Sequence, residues 1–253
     1  MSGAGVMLPP GSAGVGAMLH VTHWLPAAAP KAVILLAHGY AEHAGRYAHV
    51  AKRLTDAGYA VYAVDHWGHG KSDGEGGYVP RFSAFTDGMA ELLTLVEVNH
   101  PGAPRLLLGH SMGGLIATLF LIDRQDAFVA AALSGPAIVP GAPPRDPAVV
   151  AAYLADPLVY TGKIGARLGK EFMDAMAAAQ AGAPKIRLPI LLQHGDHDSL
   201  ASVAGSHYLF DHVASTDKRL EIYPGLFHEI YNEPERDAVL DDLIGWFDAH
   251  IAA

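Results

Sequence analysis

The chain has 253 residues, of which 51% are hydrophobic and 17% charged, enough apolar material for the core of one large α/β domain. Because the chain has only 17 basic residues against 26 acidic ones and contains no basic run, nucleic acid is excluded as a partner. The absence of cysteine excludes disulfides, thiolate nucleophiles and cysteine-based zinc sites.

The first 16 residues are small and rich in glycine, and the first lysine or arginine is Lys31. This stretch lacks the charged start and the continuous apolar segment of a secretory signal. No apolar run in the chain has the length of a bilayer span. We therefore expect residues 1–16 to form a flexible tail, and the protein to be cytoplasmic with at most weak peripheral membrane contact.

Short apolar runs of strand type alternate along the chain with stretches that place apolar residues at helical spacing. The runs cover residues 31–39, 59–65, 105–111, 128–135, 188–195 and 218–225, and the helical stretches cover 46–58, 83–100, 112–125, 202–213 and 232–251. This alternation is typical of a parallel sheet wrapped by helices. In the last helix, Asn232 is the expected N-cap and Pro234 suits the first turn.

Residues 136–185 interrupt the alternation, because they offer prolines and helix-like pieces but no convincing strand. We interpret this segment as a cap insertion over the sheet. Leu168, Phe172, Met173 and Met176 form an apolar stripe within it. We expect this stripe to pack in the core, and the lining of an acyl pocket is the alternative.

The pentapeptide GHSMG, residues 109–113, lies between an apolar run and a helical stretch. A serine hydroxyl becomes a nucleophile only when a base removes its proton and when it protrudes from the fold. A strand that turns sharply into a helix exposes the serine, provided that neighbouring side chains are absent, as at Gly109 and Gly113. Because the context is strand, turn and helix, we predict that Ser111 is a nucleophile rather than a capping residue in a glycine-rich turn.

An acid and a histidine should follow such a serine, each at the carboxyl end of a later strand. Asp196 and Asp198 follow the run 188–195, and His228 follows the run 218–225. Among the 15 histidines, only His228 satisfies both the order and the topology. His228 would accept the proton of Ser111 and pass it to the leaving alcohol, while an aspartate orients the ring.

Two backbone N–H groups could bind the developing oxyanion. Met112 begins the helix after the serine, and Tyr40 follows the pair His38-Gly39 at the end of an earlier strand. An ordinary glycine turn is the alternative for the second loop. The segments DHWGHG and HGDHD raise the further alternative of a metal site, but neither has the spacing of a pair such as H-E-x-x-H, so we expect no metal.

Six segments, HGYAEHAGRY, DHWGHGKSDG, GHSMGG, DPLV, LLQHGDHD and YPGLFHEIYNEPER, occur in this order. Together they resemble the monoacylglycerol lipase family of serine α/β-hydrolases, especially its bacterial branch. The resemblance implies one α/β-hydrolase domain over residues 1–253, with a mostly parallel central sheet, helices on both faces and a short cap insertion. It also implies hydrolysis of a small lipid ester, a monoacylglycerol, to glycerol and fatty acid through an acyl-enzyme, without cofactor.

Carried over by position, the triad of the family falls on Ser111, Asp198 and His228. The spacing HGxxD selects Asp198 over Asp196. The oxyanion donors of the family fall on Tyr40 and Met112.

The residues that surround the glycerol headgroup in the family correspond to Glu42, Arg46 and Tyr153. On the sequence alone, each of the three is equally well explained as a solvated helix or loop residue. Because the resemblance implies contact with the glycerol headgroup, we predict that these three residues bind the substrate.

The chain departs from the family pattern at two places. Tyr40 stands where the family commonly has a small residue, so its side chain must turn away from the oxyanion or narrow the entrance. The segment between Ser111 and Asp198 is also shorter than the family pattern implies, and the missing part is where the family keeps apolar, membrane-facing cap helices. We therefore expect weak membrane adhesion.

Three alternatives to a monoacylglycerol lipase remain. A general carboxylesterase or a lysophospholipase would use the same triad. A non-catalytic binding protein on the same fold would be expected to lack a triad member, and this chain lacks none. Dehalogenases and epoxide hydrolases carry aspartate at the elbow, which Ser111 contradicts.

Overall fold

A single mixed sheet organises the fold, in a computed structural model that describes residues 3–9, 16–141 and 156–251. Its eight strands follow the order β1-β2-β4-β3-β5-β6-β7-β8. They are β1 Ala4–Leu8, β2 Leu19–Trp24, β3 Ala32–Ala37, β4 Tyr59–Val64, β5 Arg105–His110, β6 Ala130–Ser134, β7 Ile190–Gly195 and β8 Lys218–Tyr223. Strands β3 to β8 pair in parallel, whereas β1 and β2 are antiparallel to their neighbours. The prediction of a mostly parallel sheet is confirmed.

Helices cover both faces of this sheet. They are α1 Ala48–Asp56, α2 Ser83–Asn99, α3 Met112–Arg124, α4 Ala166–Gly182, α5 Val203–His212 and α6 Arg236–Ile251. Successive side chains of a strand point to opposite faces, and β3 divides accordingly between two hydrophobic clusters. One cluster includes residues of α2, α3, α4 and α5, and the other includes residues of α1 and α6. Because both faces are buried, the central strands are continuous apolar runs.

The amino-terminal segment corrects one expectation. Within the predicted flexible tail 1–16, residues Ala4–Leu8 form strand β1, which pairs with β2. The open edge of β2 presents unpaired backbone N–H and C=O groups that a short strand can satisfy. Four of the five residues of β1 are exposed, so no hydrophobic pattern in the sequence marks the strand.

The last helix begins later than expected. Helix α6 begins at Arg236, and Asn232 does not cap it but donates a side-chain hydrogen bond to Glu229. Tyr231 is buried, and its hydroxyl donates to Gln193 in β7 at 2.7 Å. The segment before α6 is therefore held against the sheet, and the helix begins only after it, at Arg236.

The cap insertion 136–185 lies between β6 and β7, and the structure describes it outside residues 142–155. Within these described parts, no strand joins the sheet. Helix α4 buries Leu168, half-buries Phe172 and Met176, and exposes 56% of Met173. The core prediction is therefore confirmed for Leu168 and wrong for Met173.

Among the described residues, no helix combines the length and the apolar character needed to cross a membrane.

Candidate active site

Ser111 is the single residue between β5 and α3. Its backbone has φ 55° and ψ −119°, in a region that residues with side chains rarely adopt. A Cβ atom on Gly109 would lie 2.5 Å from the carbonyl oxygen of Gly113, and one on Gly113 would clash with the carbonyl of Ala37. The two glycines therefore let the helix begin directly against the sheet, with the serine at the tip of the turn.

The structure brings together Ser111, Asp198 and His228, which come from the carboxyl ends of three different strands. The Nε2 atom of His228 lies 2.8 Å from the Oγ of Ser111, and its Nδ1 lies 2.6 Å from the Oδ2 of Asp198. A carboxylate can only accept, so the ring proton belongs on Nδ1. This leaves the lone pair of Nε2 facing the serine hydroxyl, as a general base requires.

The side chain of Asp198 is fully buried. Its Oδ1 accepts hydrogen bonds from the backbone N–H groups of Leu200 at 2.8 Å and Ala201 at 3.0 Å. Burial by itself would raise the pKa of this carboxyl, but the hydrogen bonds from His194 and His228 outweigh it and hold the pKa well below its usual range. Asp198 is therefore a carboxylate at neutral pH.

Asp196, the other candidate for the acid of the triad, lies away from His228. Its side chain is 41% exposed, accepts from the backbone N–H of Gly225 at 2.7 Å and contacts the ring of His197. The side chain that faces His228 is that of Asp198.

The loop after β3 lies against the nucleophile. A Cβ atom on Gly39 would be 3.2 Å from the Cβ of Ser111. The Nε2 of His38 accepts from the backbone N–H of His66 at 3.0 Å, so its Nδ1 carries the proton and donates to the Gly39 carbonyl at 2.8 Å. The peptide unit between Gly39 and Tyr40 is thus fixed by a buried side chain.

Glu42 and Arg46 belong to a network around this loop. The buried Glu42 accepts from the backbone N–H of Gly39, from the hydroxyl of Tyr47 at 2.6 Å and from Arg46 at 2.9 Å. Arg46 also contacts Glu229, the neighbour of His228, at 2.8 Å. Burial raises the pKa of the Glu42 carboxyl, and the Arg46 guanidinium opposes this rise. The network links the loop after β3 to the loop that carries His228.

Glu42 is therefore not the solvated residue that the sequence alternative describes. Its contact with glycerol, and that of Arg46, stay predictions. Tyr153, the third predicted substrate-binding residue, lies outside the described residues.

The side chain of Tyr40 points towards the cap and α4. Its ring makes edge contacts with the rings of His69, Tyr160 and Phe172, with centroid distances of 5.6, 6.5 and 5.9 Å. The ring of Tyr40 is therefore packed between the loop after β4, which carries His69, and the cap insertion, which carries Tyr160 and Phe172.

His110 packs behind the triad. It is buried, and its ring centroid lies 4.8 Å from that of His228. Burial, reinforced by the nearby His228, lowers the pKa of His110 well below its ordinary value. The ring that packs against His228 is thus neutral.

The segment DHWGHG, one of the two considered as a metal site, begins with an aspartate that has a structural role. The carboxylate of Asp65 accepts from the backbone N–H groups of Ala44 at 2.8 Å and Lys71 at 3.0 Å. In the part of the chain that the structure describes, no three histidine, aspartate or glutamate side chains are grouped as metal ligands.

Two residues of the site were missed as such by the sequence reasoning. Glu229 gave no signal beyond its position next to His228. His194 entered only in the metal alternative, although it lies four residues before Asp198; its Nε2 is 3.0 Å from the Oδ2 of that aspartate.

Comparison with known proteins gives concordant matches. The family model described as serine aminopeptidase S33 matches residues 28–144 and 140–235. A monoacylglycerol lipase of Mycolicibacterium smegmatis is 41% identical over 269 aligned residues, which cover 94% of this chain and 96% of that protein. A human monoglyceride lipase is 30% identical, with coverage of 91% and 87%.

Solved structures agree with the sequence matches. The crystal structure of Paleococcus ferrophilus monoacylglycerol lipase superimposes with a TM-score of 0.83 at 27% identity and covers 92% of this chain and 99% of its own. A soluble variant of the Saccharomyces cerevisiae monoglyceride lipase, 20% identical, shares the fold with a TM-score of 0.85 and covers 99% of this chain and 96% of its own. The chain therefore belongs to the serine aminopeptidase S33 family of α/β-hydrolases and, within it, to the monoacylglycerol lipases.

Proposed function

We propose that this protein is a serine hydrolase that cleaves monoacylglycerols to glycerol and a free fatty acid. The observation that carries the proposal is the continuous chain of contacts from Ser111 through His228 to the buried Asp198. Membership of the monoacylglycerol lipase family supplies the substrate class.

In the first half-reaction, the Oγ of Ser111 attacks the ester carbonyl carbon while its proton passes to the Nε2 of His228. Asp198 stabilises the imidazolium that forms. The tetrahedral intermediate then collapses, the bond from the carbonyl carbon to the glycerol oxygen breaks, and glycerol leaves with the proton from His228. The acyl group remains as an ester on Ser111.

In the second half-reaction, water attacks the acyl-enzyme and gives a proton to His228. The bond to the Oγ of Ser111 breaks, the serine recovers its proton from His228, and the fatty acid departs.

The N–H groups of Met112 and Tyr40 bind the oxyanion in both half-reactions. Met112 is the first residue of α3, so its N–H has no acceptor within the helix. In a trans peptide the C=O and N–H groups point in opposite directions. Because His38 holds the Gly39 carbonyl, the N–H of Tyr40 points away from the His38 ring.

The decisive experiment compares three esters of one acyl chain length: a monoacylglycerol, a methyl ester and a lysophosphatidylcholine. We expect the highest kcat/KM for the monoacylglycerol, since its free hydroxyls can meet polar groups at the entrance. Equal values for the methyl ester would indicate a general carboxylesterase. A preference for lysophosphatidylcholine would indicate a lysophospholipase.

Variants of the triad complete the test. Ser111→Ala should remove nearly all activity, and Asp198→Asn should lower kcat by about 10³- to 10⁴-fold. Asp196→Asn is the matched control, because it changes the neighbouring carboxylate that does not face His228, and it should retain nearly full activity. The assignment fails if Ser111→Ala keeps a tenth of the wild-type turnover, or if the two aspartate variants rank in the opposite order.

A further inference from the structure

A second histidine contacts the buried aspartate of the triad. His194 lies in β7, and its side chain is fully buried. Its Nε2 is 3.0 Å from the Oδ2 of Asp198 and 3.1 Å from the carbonyl oxygen of Ala201. Its Nδ1 is 2.7 Å from the hydroxyl of Ser206 in α5. The mechanism above makes no use of this ring.

The partners of the ring determine where its proton lies. A carboxylate and a carbonyl oxygen can only accept, and both face Nε2, so Nε2 carries the proton. The hydroxyl of Ser206 can donate to Nδ1, which completes the hydrogen bonding of the ring. The Nε2–H of His194 therefore faces two acceptors, since it forms a hydrogen bond with the carbonyl of Ala201 and lies within reach of the Oδ2 of Asp198.

The same oxygen of Asp198 serves both histidines. Its Oδ2 faces the Nδ1 of His228 and the Nε2 of His194, while its Oδ1 is occupied by two backbone N–H groups. We propose that His194 is a positioning residue for the triad: its Nε2–H fixes Oδ2 and moderates the negative charge that Asp198 offers to His228. This inference rests on the proposed function, in which Asp198 stabilises the imidazolium of His228.

Removal of the donor at His194 should change the protonation of His228 in one definite direction. A donor on Oδ2 stabilises the carboxylate and lowers its basicity. Without that donor, more of the charge is available to His228, and its protonated form becomes more stable. Because the base must be neutral to accept the serine proton, activity is then lost at a higher pH on the acid side.

The other charged and titratable groups around His228 and Asp198 are the same in the wild type and in variants of His194. His110 faces the His228 ring from the end of β5, and Ser111 faces its Nε2. Glu229 follows His228 in the chain and is paired with Arg46. Substitutions at His194 leave all four side chains in place.

A matched pair of variants separates donation from packing. The amide of glutamine in His194→Gln can reach the position of Nε2 and donate to Asp198. The shorter amide in His194→Asn reaches only the position of Nδ1, next to Ser206. Both variants keep a polar, uncharged side chain in the same buried place.

The readouts are the NMR titration of the His228 ring in protein with ¹³C-labelled histidine, and the acid limb of kcat/KM for a soluble short-chain ester. In His194→Asn, we expect both midpoints to rise by about 0.5 to 1 pH unit, since a hydrogen bond to a charged group is lost. In His194→Gln, both should stay close to the wild-type values. A packing role would change the melting temperature without moving either midpoint.

An unchanged titration of His228 in His194→Asn would overturn the inference, as would equal rises in both variants. If His194→Asn does not fold, His194→Leu provides the same test, because leucine fills the space of the ring but has no donor for Asp198. A rise of the His228 midpoint is again expected, and an unchanged midpoint overturns the inference. Because the NMR titration requires no turnover, it decides the role of His194 even if the proposed ester hydrolysis is not observed.

Discussion

At the scale of the residue, the site stores conformational strain at its nucleophile. Ser111 has a positive φ with a side chain, and the sharp turn between β5 and α3 requires this backbone. A residue held in such a region costs of the order of 1–3 kcal/mol. The surrounding sheet and helix hold the backbone in this conformation, which keeps the hydroxyl 2.8 Å from the His228 ring.

This strain gives a prediction that does not depend on activity. Ser111→Gly and Ser111→Ala both remove the hydroxyl, but only glycine adopts the backbone freely. After allowing for the greater freedom of glycine in the unfolded chain, we expect the glycine variant to be more stable by about 1–2 kcal/mol. Thermal unfolding of the two inactive variants measures the difference. An alanine variant that is more stable than the glycine variant by about 0.5–1 kcal/mol, the unfolded-state cost of glycine alone, would show that the turn is unstrained.

At the scale of the element, the loop after β3, which carries the proposed oxyanion donor Tyr40, is held by Glu42 and Arg46, the side chains that the sequence analysis assigned to the substrate. Glu42 accepts from the Gly39 N–H and binds Arg46, which reaches Glu229. Glu42 and His38 hold Gly39 at its N–H and at its C=O group, respectively, and the peptide that follows Gly39 carries the Tyr40 N–H. Such donors act when charge develops on the carbonyl oxygen.

We therefore expect Glu42→Ala to lower kcat by about 10- to 100-fold with little change in KM, because the lost contact positions a transition-state donor. The loss should be equal for a monoacylglycerol and for the methyl ester of the same acyl chain. Glu229→Ala is the control, since it also removes a partner of Arg46 but leaves Gly39 held. A loss confined to the monoacylglycerol would instead assign Glu42 to the glycerol headgroup.

The elements that the sequence predicted are those that bury apolar residues with a clear period. Strands β3 to β8 and five of the helices follow from such patterns. Strand β1 does not, because an exposed edge strand is stabilised by backbone pairing rather than by side-chain burial. The start of α6 was also misplaced, since the local capping signal at Asn232 yields to the tertiary contacts of the buried Tyr231.

At the scale of the whole molecule, the parallel sheet places the site. His38, Ser111, Asp198 and His228 each follow the carboxyl end of a strand, namely β3, β5, β7 and β8. These ends share one edge of the sheet, so topology brings together residues far apart in sequence. This rule made Ser111, His228 and the pair Asp196 and Asp198 predictable from their order in the chain, and the resemblance to the family selected Asp198 from the pair.

Contacts that depend on side-chain direction were not predictable in this way. Arg46 and Glu229 are 183 positions apart, and no local pattern relates them. The pair His194 and Asp198 is only four positions apart, but its contact arises because the chain turns after β7 and folds the aspartate back over the strand end. Spacing alone admits a metal site there, and the observed hydrogen bonds favour a different role.

The surface of the molecule bears on membrane adhesion. The described part of the insertion exposes 37% of Leu158, 53% of Ile164 and 56% of Met173. Complete burial of such a side chain contributes about 1.5–3 kcal/mol, and these three are already partly covered. Even a single myristoyl chain gives only marginal, reversible binding. The formal net charge of −9 also opposes an anionic lipid surface.

We therefore expect little co-sedimentation with phosphatidylcholine vesicles, and still less when phosphatidylglycerol is added. The rate on a medium-chain monoacylglycerol should follow the dissolved substrate, with little gain above its micelle threshold, because the enzyme obtains little binding energy from an interface. Ile164→Asp serves as the matched variant, and it should leave both measurements almost unchanged. Strong sedimentation of the wild type, reduced in Ile164→Asp and accompanied by a sharp rate increase above the threshold, would show instead that this insertion is a membrane-docking surface.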